Sequence, residues 1–583
     1  MRTSFNRRLS VITLILIIAG VGMLGRVASF QWQFDVASYL RTVASNRYSQ
    51  IDDQSPARGL IYDRNMEILA ANTTEYGIGV SPIYITDKEA AAAKLADAIG
   101  LDRTFVYNAV TSTAPYVPLT TELVSSEVAA KVEALNIFGV KLDPHPKRVY
   151  PEGSLAAHVI GFVGWEGEDR RGYVGVEGDY NSDLAGQKLI TEDSTIPFEA
   201  NANTLPPPGR DIVLTLDRRI QYIAETELQD AIARYGAVSG QVLIMDPRTG
   251  EILAMASYPT FDPNTYFSTD ASLLKNPAVS DTYEPGSVFK IVTAALALRT
   301  GKIDINTWTY NDVRVYRYGG ADIMNWDRAG HGSQTFPDIL VRSWNVGTTT
   351  LAVEVMGGEY FYKGLKDFGV GAATGIDMEG EAPGTVKEPG IDLYWSDSDL
   401  ATNSFGQGLT VTPLQMLCYA NIMANGGLMM QPHIRLATID GGRVIPSEPV
   451  PVRSPITPQI ASTIRDIMVD VVARGEGASA KVPGYTVAGK TGTAQIPCPE
   501  CGAAGGYDPD LHNATFVGFL PADEPRVSIL IKLDKVTGFA SESAAPAFAQ
   551  LASRLVVVMN IPTDAERQNL KQQGGQTDQI ALR

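Results

Sequence analysis

Ser287 and Lys290 stand three residues apart in Tyr283-Glu-Pro-Gly-Ser-Val-Phe-Lys290, ahead of the apolar run Ile291-Val-Thr-Ala-Ala-Leu-Ala-Leu298. On a helix that spacing puts both side chains on one face, within reach of each other. A serine hydroxyl attacks usefully only when a neighbouring base takes its proton. A lysine can be that base where burial or a second cation favours its neutral form. Pro285 and Gly286 suit a turn into a helix, which places Ser287 in the first turn. The positive end of that helix favours negative charge developing near the hydroxyl. The chemistry open to such a pair is nucleophilic attack by the serine oxygen. Alone, the pattern is cheap, and a helix cap beside a surface lysine is the commoner meaning of such spacing.

Two further elements change that balance. Ser343-Trp344-Asn345 lies in a helical neighbourhood, and Lys490-Thr491-Gly492-Thr493 continues a strand-like stretch at residues 485–489. A lysine, hydroxyls and a glycine on a strand let backbone and side chains approach a bound peptide carboxylate. Each element has a plain alternative: Ser343 and Asn345 as turn residues, Lys490 as an edge-strand gatekeeper. All three in this order, each in fitting local structure, point to one site.

The elements that must position these residues can be read from periodicity. Residues 211–217 form a strand-like run, and residues 218–235 have helical spacing. Residues 241–245 and 251–256, around the turn Asp246-Pro-Arg-Thr-Gly250, predict a β-hairpin. Strands are expected at 485–488, 514–520 and 527–533, followed by a helix near 545–559. Strands from both ends of this region, with helices inserted between them, indicate α+β architecture with an antiparallel sheet flanked by helices. Upstream, residues 87–99 and 122–135 are helical candidates within mixed short elements. Thr204-Leu-Pro-Pro-Pro-Gly209 marks a boundary.

The bulk properties fit this organisation. A chain of 583 residues exceeds one compact core. A net charge of -17 argues against nucleic acid as partner. Arg2, Arg7 and Arg8 precede an uncharged apolar run at residues 9–25, which predicts one membrane-spanning helix with a cytoplasmic N-terminus. A cleaved signal peptide is the rival reading, disfavoured by the lack of a small-x-small site. Of three cysteines, Cys418 sits in a helical apolar stretch, while Cys498-Pro-Glu-Cys501 is read as a loop disulfide or two inert thiols in preference to a metal site.

Ser-x-x-Lys, Ser-x-Asn and Lys-Thr-Gly in this order resemble the signature of penicillin-binding proteins and serine β-lactamases. The likeness extends further: Arg58-Gly-Leu-Ile-Tyr-Asp63-Arg64-Asn-Met66, Arg148-Val-Tyr-Pro-Glu-Gly153 with Ala157-His158, and Gly172-Tyr-Val-Gly-Val-Glu177 resemble blocks of class B enzymes. Met66 stands where glycine is usual, suggesting an altered turn. The Arg, Asp and Glu residues of these blocks, with no nucleophile nearby, are read as structural ion pairs. Phe368-Gly-Val-Gly371, Thr374-Gly-Ile-Asp377 and Ser404-Phe-Gly-Gln-Gly408 also match.

The resemblance implies a serine D,D-transpeptidase that cross-links peptidoglycan stem peptides with release of D-Ala, and binds β-lactams. By position, Ser287 is implied as nucleophile, Lys290 as general base and Ser343 as proton shuttle. Asn345, Lys490, Thr491, Gly492 and Thr493 are implied to hold substrate, with an oxyanion hole from the N–H groups of Ser287 and Thr493. No metal or organic cofactor is implied. The implied layout is a cytoplasmic tail (1–8), transmembrane anchor (9–28), stalk and elongated mixed α/β pedestal (29–205), transpeptidase domain (206–562) and disordered tail (563–583). The resemblance to the family implies a SEDS-type glycosyltransferase as partner, and Tyr283-Glu-Pro-Gly with Phe405-Gly-Gln-Gly resembles the division branch, which implies divisome membrane proteins. The alternatives are an elongation-type enzyme, a β-lactamase or penicillin-sensing receptor, and an inactive divisome scaffold.

Overall fold

The computed structural model describes residues 20–21, 56–166, 169–187, 207–498 and 506–581. The expected anchor (9–28) lies outside them except for the helical pair Gly20 and Val21, and the stalk at 29–50 lies outside entirely. Among the described residues no helix is long and apolar enough to cross a membrane.

The site is carried by a five-stranded antiparallel sheet. Its strands are β1 (Ser239–Met245), β2 (Ile252–Tyr258), β3 (Ala488–Pro497), β4 (Tyr507–Leu520) and β5 (Val527–Val536), in the order β2-β1-β5-β4-β3. The predicted hairpin is present. Its turn closes through Asp246 N–H to Glu251 O at 3.0 Å and Gly250 N–H to Asp246 O at 2.9 Å. Successive side chains on a strand face opposite sides, and both sides here are dry. Val242 and Ile244 pack with α1 (Arg218–Tyr235) and α5 (Ala544–Val558), whereas Leu243 and Met245 join the central helical core. Burial on both faces explains why these strands read as continuous apolar runs rather than as alternating ones.

The central core is built on α2 (Lys290–Arg299), α3 (Pro413–Ala424) and α4 (Pro458–Arg474). In α2 the first eight residues are all buried, Lys290 among them. A helix apolar on all sides belongs in the middle of a domain. Cys418, on α3, is free and buried, as its apolar stretch predicts.

Three expectations are corrected. The strand expected at 485–488 starts only at Ala488 and runs through the Lys-Thr-Gly residues to Pro497. The tail expected to be disordered carries a helix, Asp564–Ala581. Finally, one sheet crosses the boundary placed at residue 205. Ile61–Tyr62 pairs antiparallel with Ile68–Val80 and parallel with Asp211–Leu214. Asp211–Leu214 in turn pairs with Arg435–Asp440, which hairpins with Arg443–Pro446. That hairpin was missed, although Gly441 and Gly442 between alternating runs are a two-residue turn signal. The helices expected at 87–99 and 122–135 are present as Lys88–Ile99 and Ser126–Ala134.

The upstream blocks meet around one carboxylate. Arg58 Nε donates to Glu177 Oε2 at 2.6 Å and Arg148 Nε to Glu177 Oε1 at 2.7 Å, with the Glu177 side chain fully buried. Burial alone would raise the pKa of Glu177. The charges and hydrogen bonds of Arg148 and Arg58 more than reverse that and leave it lowered. Asp63 accepts from the N–H groups of Asn65, Glu67 and Arg218, at 2.7, 2.9 and 3.0 Å, tying the hairpin turn to the start of α1. Met66 holds that turn at φ +66°. A residue with Cβ therefore keeps the left-handed conformation, at a cost of about 1–2 kcal/mol.

Candidate active site

Three elements converge on the site. Ser287 sits in a 3-10 turn, Gly286–Phe289, that leads into α2, so Lys290 opens the α-helix and the serine stands just ahead of it. The turn is clamped from one side. Tyr283 and Val411 exchange both backbone hydrogen bonds, at 2.9 and 3.0 Å, and Gly286 N–H donates to Gly406 O at 2.9 Å. Glu284 accepts from Gly408 N–H at 3.0 Å and from the Tyr507 hydroxyl at 3.1 Å. Sequence reasoning passed over Glu284, whose signal is a carboxylate beside a Pro-Gly turn. Burial raises its pKa against those bonds.

From the other side comes β3, the edge strand of the sheet. A Cβ on Gly492 would stand 2.9 Å from Val288 Cγ1, 3.0 Å from Pro285 O and 3.1 Å from Val288 N. Only glycine lets the strand lie this close to the serine turn. Lys490, Thr491 and Gly492 are buried, Thr493 is half-buried, and Thr493 Oγ1 accepts from Ala540 N–H at 3.0 Å.

The third element is the turn between helices Phe336–Val341 and Asn345–Thr350, where Ser343 has φ +58°. This conformation is costly for serine, on the order of 1–2 kcal/mol. It aims the residue at two lysines. Lys290 Nζ is 2.6 Å from Ser343 O, 2.7 Å from Asn345 Oδ1 and 3.4 Å from Ser343 Oγ. Lys490 Nζ is 3.0 Å from Ser343 Oγ and from Thr491 O. The structure thus brings Lys290, Ser343, Asn345, Lys490 and Thr491 into one hydrogen-bonded cluster. No hydrogen bond joins Lys290 to Ser287 Oγ among the described residues; the lysine bonds the second motif instead.

Both lysines are fully buried. Burial, then the neighbouring Lys490 charge, pushes Lys290 well below its ordinary value. Burial draws Lys490 down to about 7, with the Glu476 carboxylate pulling the other way. A second cation beside Lys290 and a carboxylate acting on Lys490 favour the neutral form at Lys290 and the charged form at Lys490. A neutral amine has two N–H donors and one lone pair. The two short contacts of Lys290 go to carbonyl oxygens, which can only accept, and they use both donors. The lone pair is left for a hydroxyl.

Cys498 is disulfide-bonded, while Cys501 lies outside the described residues.

The chain is similar to known proteins. Residues 240–553 match the penicillin binding protein transpeptidase domain, and residues 53–214 match the penicillin-binding protein dimerisation domain. Stage V sporulation protein D of Bacillus subtilis is 36% identical over 529 residues, covering 88% of this chain and 80% of that protein. Peptidoglycan D,D-transpeptidase FtsI of Escherichia coli is 30% identical over 561 residues, 93% of this chain and 90% of that one. The crystal structure of penicillin binding protein 3 from Mycobacterium tuberculosis, complexed with aztreonam, superposes with a TM-score of 0.68 at 31% identity, covering 88% of this chain and 98% of that one.

Proposed function

We propose the workings of this site from one premise: the chain belongs to the class B penicillin-binding proteins. It is a peptidoglycan D,D-transpeptidase, a serine acyltransferase that binds β-lactams. The observation that carries the assignment of roles is the pair of buried lysines converging on Ser343.

Ser287 Oγ attacks the carbonyl carbon of the penultimate D-Ala of a stem peptide. Its proton passes to the free lone pair of Lys290, directly or through Ser343. Apo hydrogen bonds at catalytic groups are often long and tighten with substrate. The tetrahedral oxyanion is held by the N–H groups of Ser287 and Thr493, a type of contact worth about 3–4 kcal/mol. Collapse breaks the C–N bond, and terminal D-Ala leaves with the proton returned through the same groups. An amine of a second stem peptide then attacks the ester, giving up its proton to the base. The peptide bond forms and Ser287 regains its hydrogen. Lys490 and Thr493 hold the terminal carboxylate of the donor, and Asn345 contacts its amide. A β-lactam acylates the same oxygen.

Residues 9–28 are assigned to a single transmembrane anchor that keeps the catalytic domain outside the cell membrane, on the charge pattern around the apolar run. Division is the favoured setting, with a SEDS-type glycosyltransferase and divisome membrane proteins as partners. Its support is the pair of segments Tyr283-Glu-Pro-Gly and Phe405-Gly-Gln-Gly, which contact each other at the nucleophile turn. Mid-cell labelling of a tagged protein is the expected image, and lateral-wall labelling would overturn that setting.

The site assignment is tested with a fluorescent penicillin. Wild-type protein forms one covalent adduct, mapped to Ser287 by peptide mass spectrometry, and Ser287→Ala forms none. An adduct on another residue would overturn the assignment.

A further inference from the structure

We propose that His331 is a positioning residue for acyl transfer: held between Asp312 and Asp327 and stacked on Trp344, it fixes the Ser343–Asn345 turn in the geometry the two lysines need. The inference rests on the roles given above to Ser287, Lys290 and Ser343.

His331 touches neither the nucleophile nor either lysine. Its ring lies 4.1 Å from the ring of Trp344, centroid to centroid, with 16° between the planes. Its Nδ1 is 2.7 Å from Asp312 Oδ2 and its Nε2 is 3.0 Å from Asp327 Oδ2. A carboxylate only accepts, so Nδ1–H donates to Asp312, and the near-parallel contact between the imidazole and the indole packs one ring on the other.

The same segment grips the rest of the turn. Asp312 is fully buried and accepts from Asn325 Nδ2 at 3.0 and 2.9 Å and from His331 N–H at 3.1 Å. Asn325 Oδ1 then accepts from Val346 N–H at 3.2 Å. The carbonyl of Met324 accepts from Asn345 Nδ2 at 2.9 Å, which leaves Asn345 Oδ1 facing Lys290. Trp344, Asn345 and Val346 are each held by a separate contact from one stretch of chain.

A turn this heavily supported has a reason to be. Ser343 has φ +58°, a conformation that persists only where the surroundings impose it. Relaxation of that angle swings the Ser343 carbonyl away from Lys290 and its hydroxyl away from Lys490. Both lysines would lose their common partner at once. His331 supplies the flat surface against which Trp344, and with it Ser343, is held.

The test is stopped-flow acylation of the full chain by a fluorescent penicillin, resolving the initial binding constant from the acylation rate constant. His331→Ala is expected to slow the acylation step about ten-fold or more, because small misplacements of reacting groups cost that much. Initial binding should stay within about two-fold of wild type, and His331→Phe, which restores the flat ring, should recover part of the rate. An acylation step within about two-fold of wild type, no recovery in His331→Phe, or a loss that merely tracks the folded fraction by circular dichroism overturns the proposal. Should His331→Ala fail to fold, Asp327→Asn takes its place, with a slowing of about two- to five-fold expected and an unchanged rate overturning it. Absence of any Ser287 adduct in wild type would strike the active-site reading itself. An acylated wild type with an equally fast His331→Ala would strike only this inference.

Discussion

Two buried charge clusters in this protein are built on opposite rules. Around Glu177 a carboxylate stands between two guanidiniums, Arg58 and Arg148, each within 2.7 Å of it. Around Ser343 a neutral hydroxyl and carbonyl stand between two amines, Lys290 and Lys490, with no carboxylate bonded to either among the described residues. The first arrangement gives the carboxylate at its centre two cationic partners. The second sets two amines facing each other in a dry place, where burial lowers the pKa of both. Burial thus surrounds a charge with partners in one region and disfavours charge in the other, and the difference lies in what sits in the middle.

The comparison can be broken by removing one member from each cluster. Lys290→Ala should slow penicillin acylation by about 10²- to 10⁴-fold, the usual contribution of a general base, while leaving the unfolding midpoint nearly unchanged. Equal loss of stability would mean that the lysine is structural. Glu177→Ala should do the reverse. It leaves two guanidiniums without a counter-charge and should cost about 3–5 kcal/mol of stability in denaturant unfolding. The fraction that remains folded should be acylated at the wild-type rate.

The pH profile sharpens the contrast. The proposed mechanism needs Lys290 neutral and Lys490 charged. Burial and the Lys490 charge both lower Lys290, so acylation should fall on the acid side as Lys290 takes up its proton. On the alkaline side it falls as Lys490 loses its charge, near pH 7 in the free enzyme. A bell-shaped dependence of kcat/KM on pH is expected, and a flat profile through neutrality would remove Lys490 from carboxylate binding. The smallest effect concerns backbone strain. Met66→Gly should raise stability by roughly 0.5–1 kcal/mol in thermal unfolding, the relief of a left-handed residue less the added entropy of glycine. Acylation should not change. Ser343, strained in the same backbone region, offers no such silent repair, because its hydroxyl and carbonyl are both bonded to the lysines.

The chemistry of the site was legible because its residues carry it in their side chains at short spacing. Ser287 with Lys290, Ser343 with Asn345, and Lys490 to Thr493 each announce themselves locally. What the sequence did not show is how they face each other. Lys290 reaches across to residues more than fifty positions away rather than to the serine three positions before it. The left-handed angle of Ser343 and the support from Asp312, Asn325 and His331 depend on contacts that no local pattern encodes. The same holds for the fold. The sheet hairpin β1–β2 was visible in its turn residues, and the structural role of Arg58, Arg148 and Glu177 followed from the lack of a nucleophile beside them. The hairpin of Arg435–Asp440 with Arg443–Pro446 had a local signal in Gly441 and Gly442, but its pairing with Asp211–Leu214, over two hundred residues earlier in the chain, had none. Met66 holds its turn at a left-handed angle and bears the strain of it.

The sheet that joins Ile61–Tyr62, Asp211–Leu214 and Arg435–Asp440 sets an order of events during biosynthesis. A chain is made from its N-terminus, so the first two strands exist long before the third. Until residue 440 has emerged, Asp211–Leu214 keeps one edge open, with backbone groups free to pair with another chain. The catalytic sheet waits longer still, for β5 to be completed at residue 536. Pairings this distant in sequence form slowly. A nascent chain arrested after residue 214 should therefore be prone to self-association, and co-expression of the 435–446 hairpin in trans should suppress it.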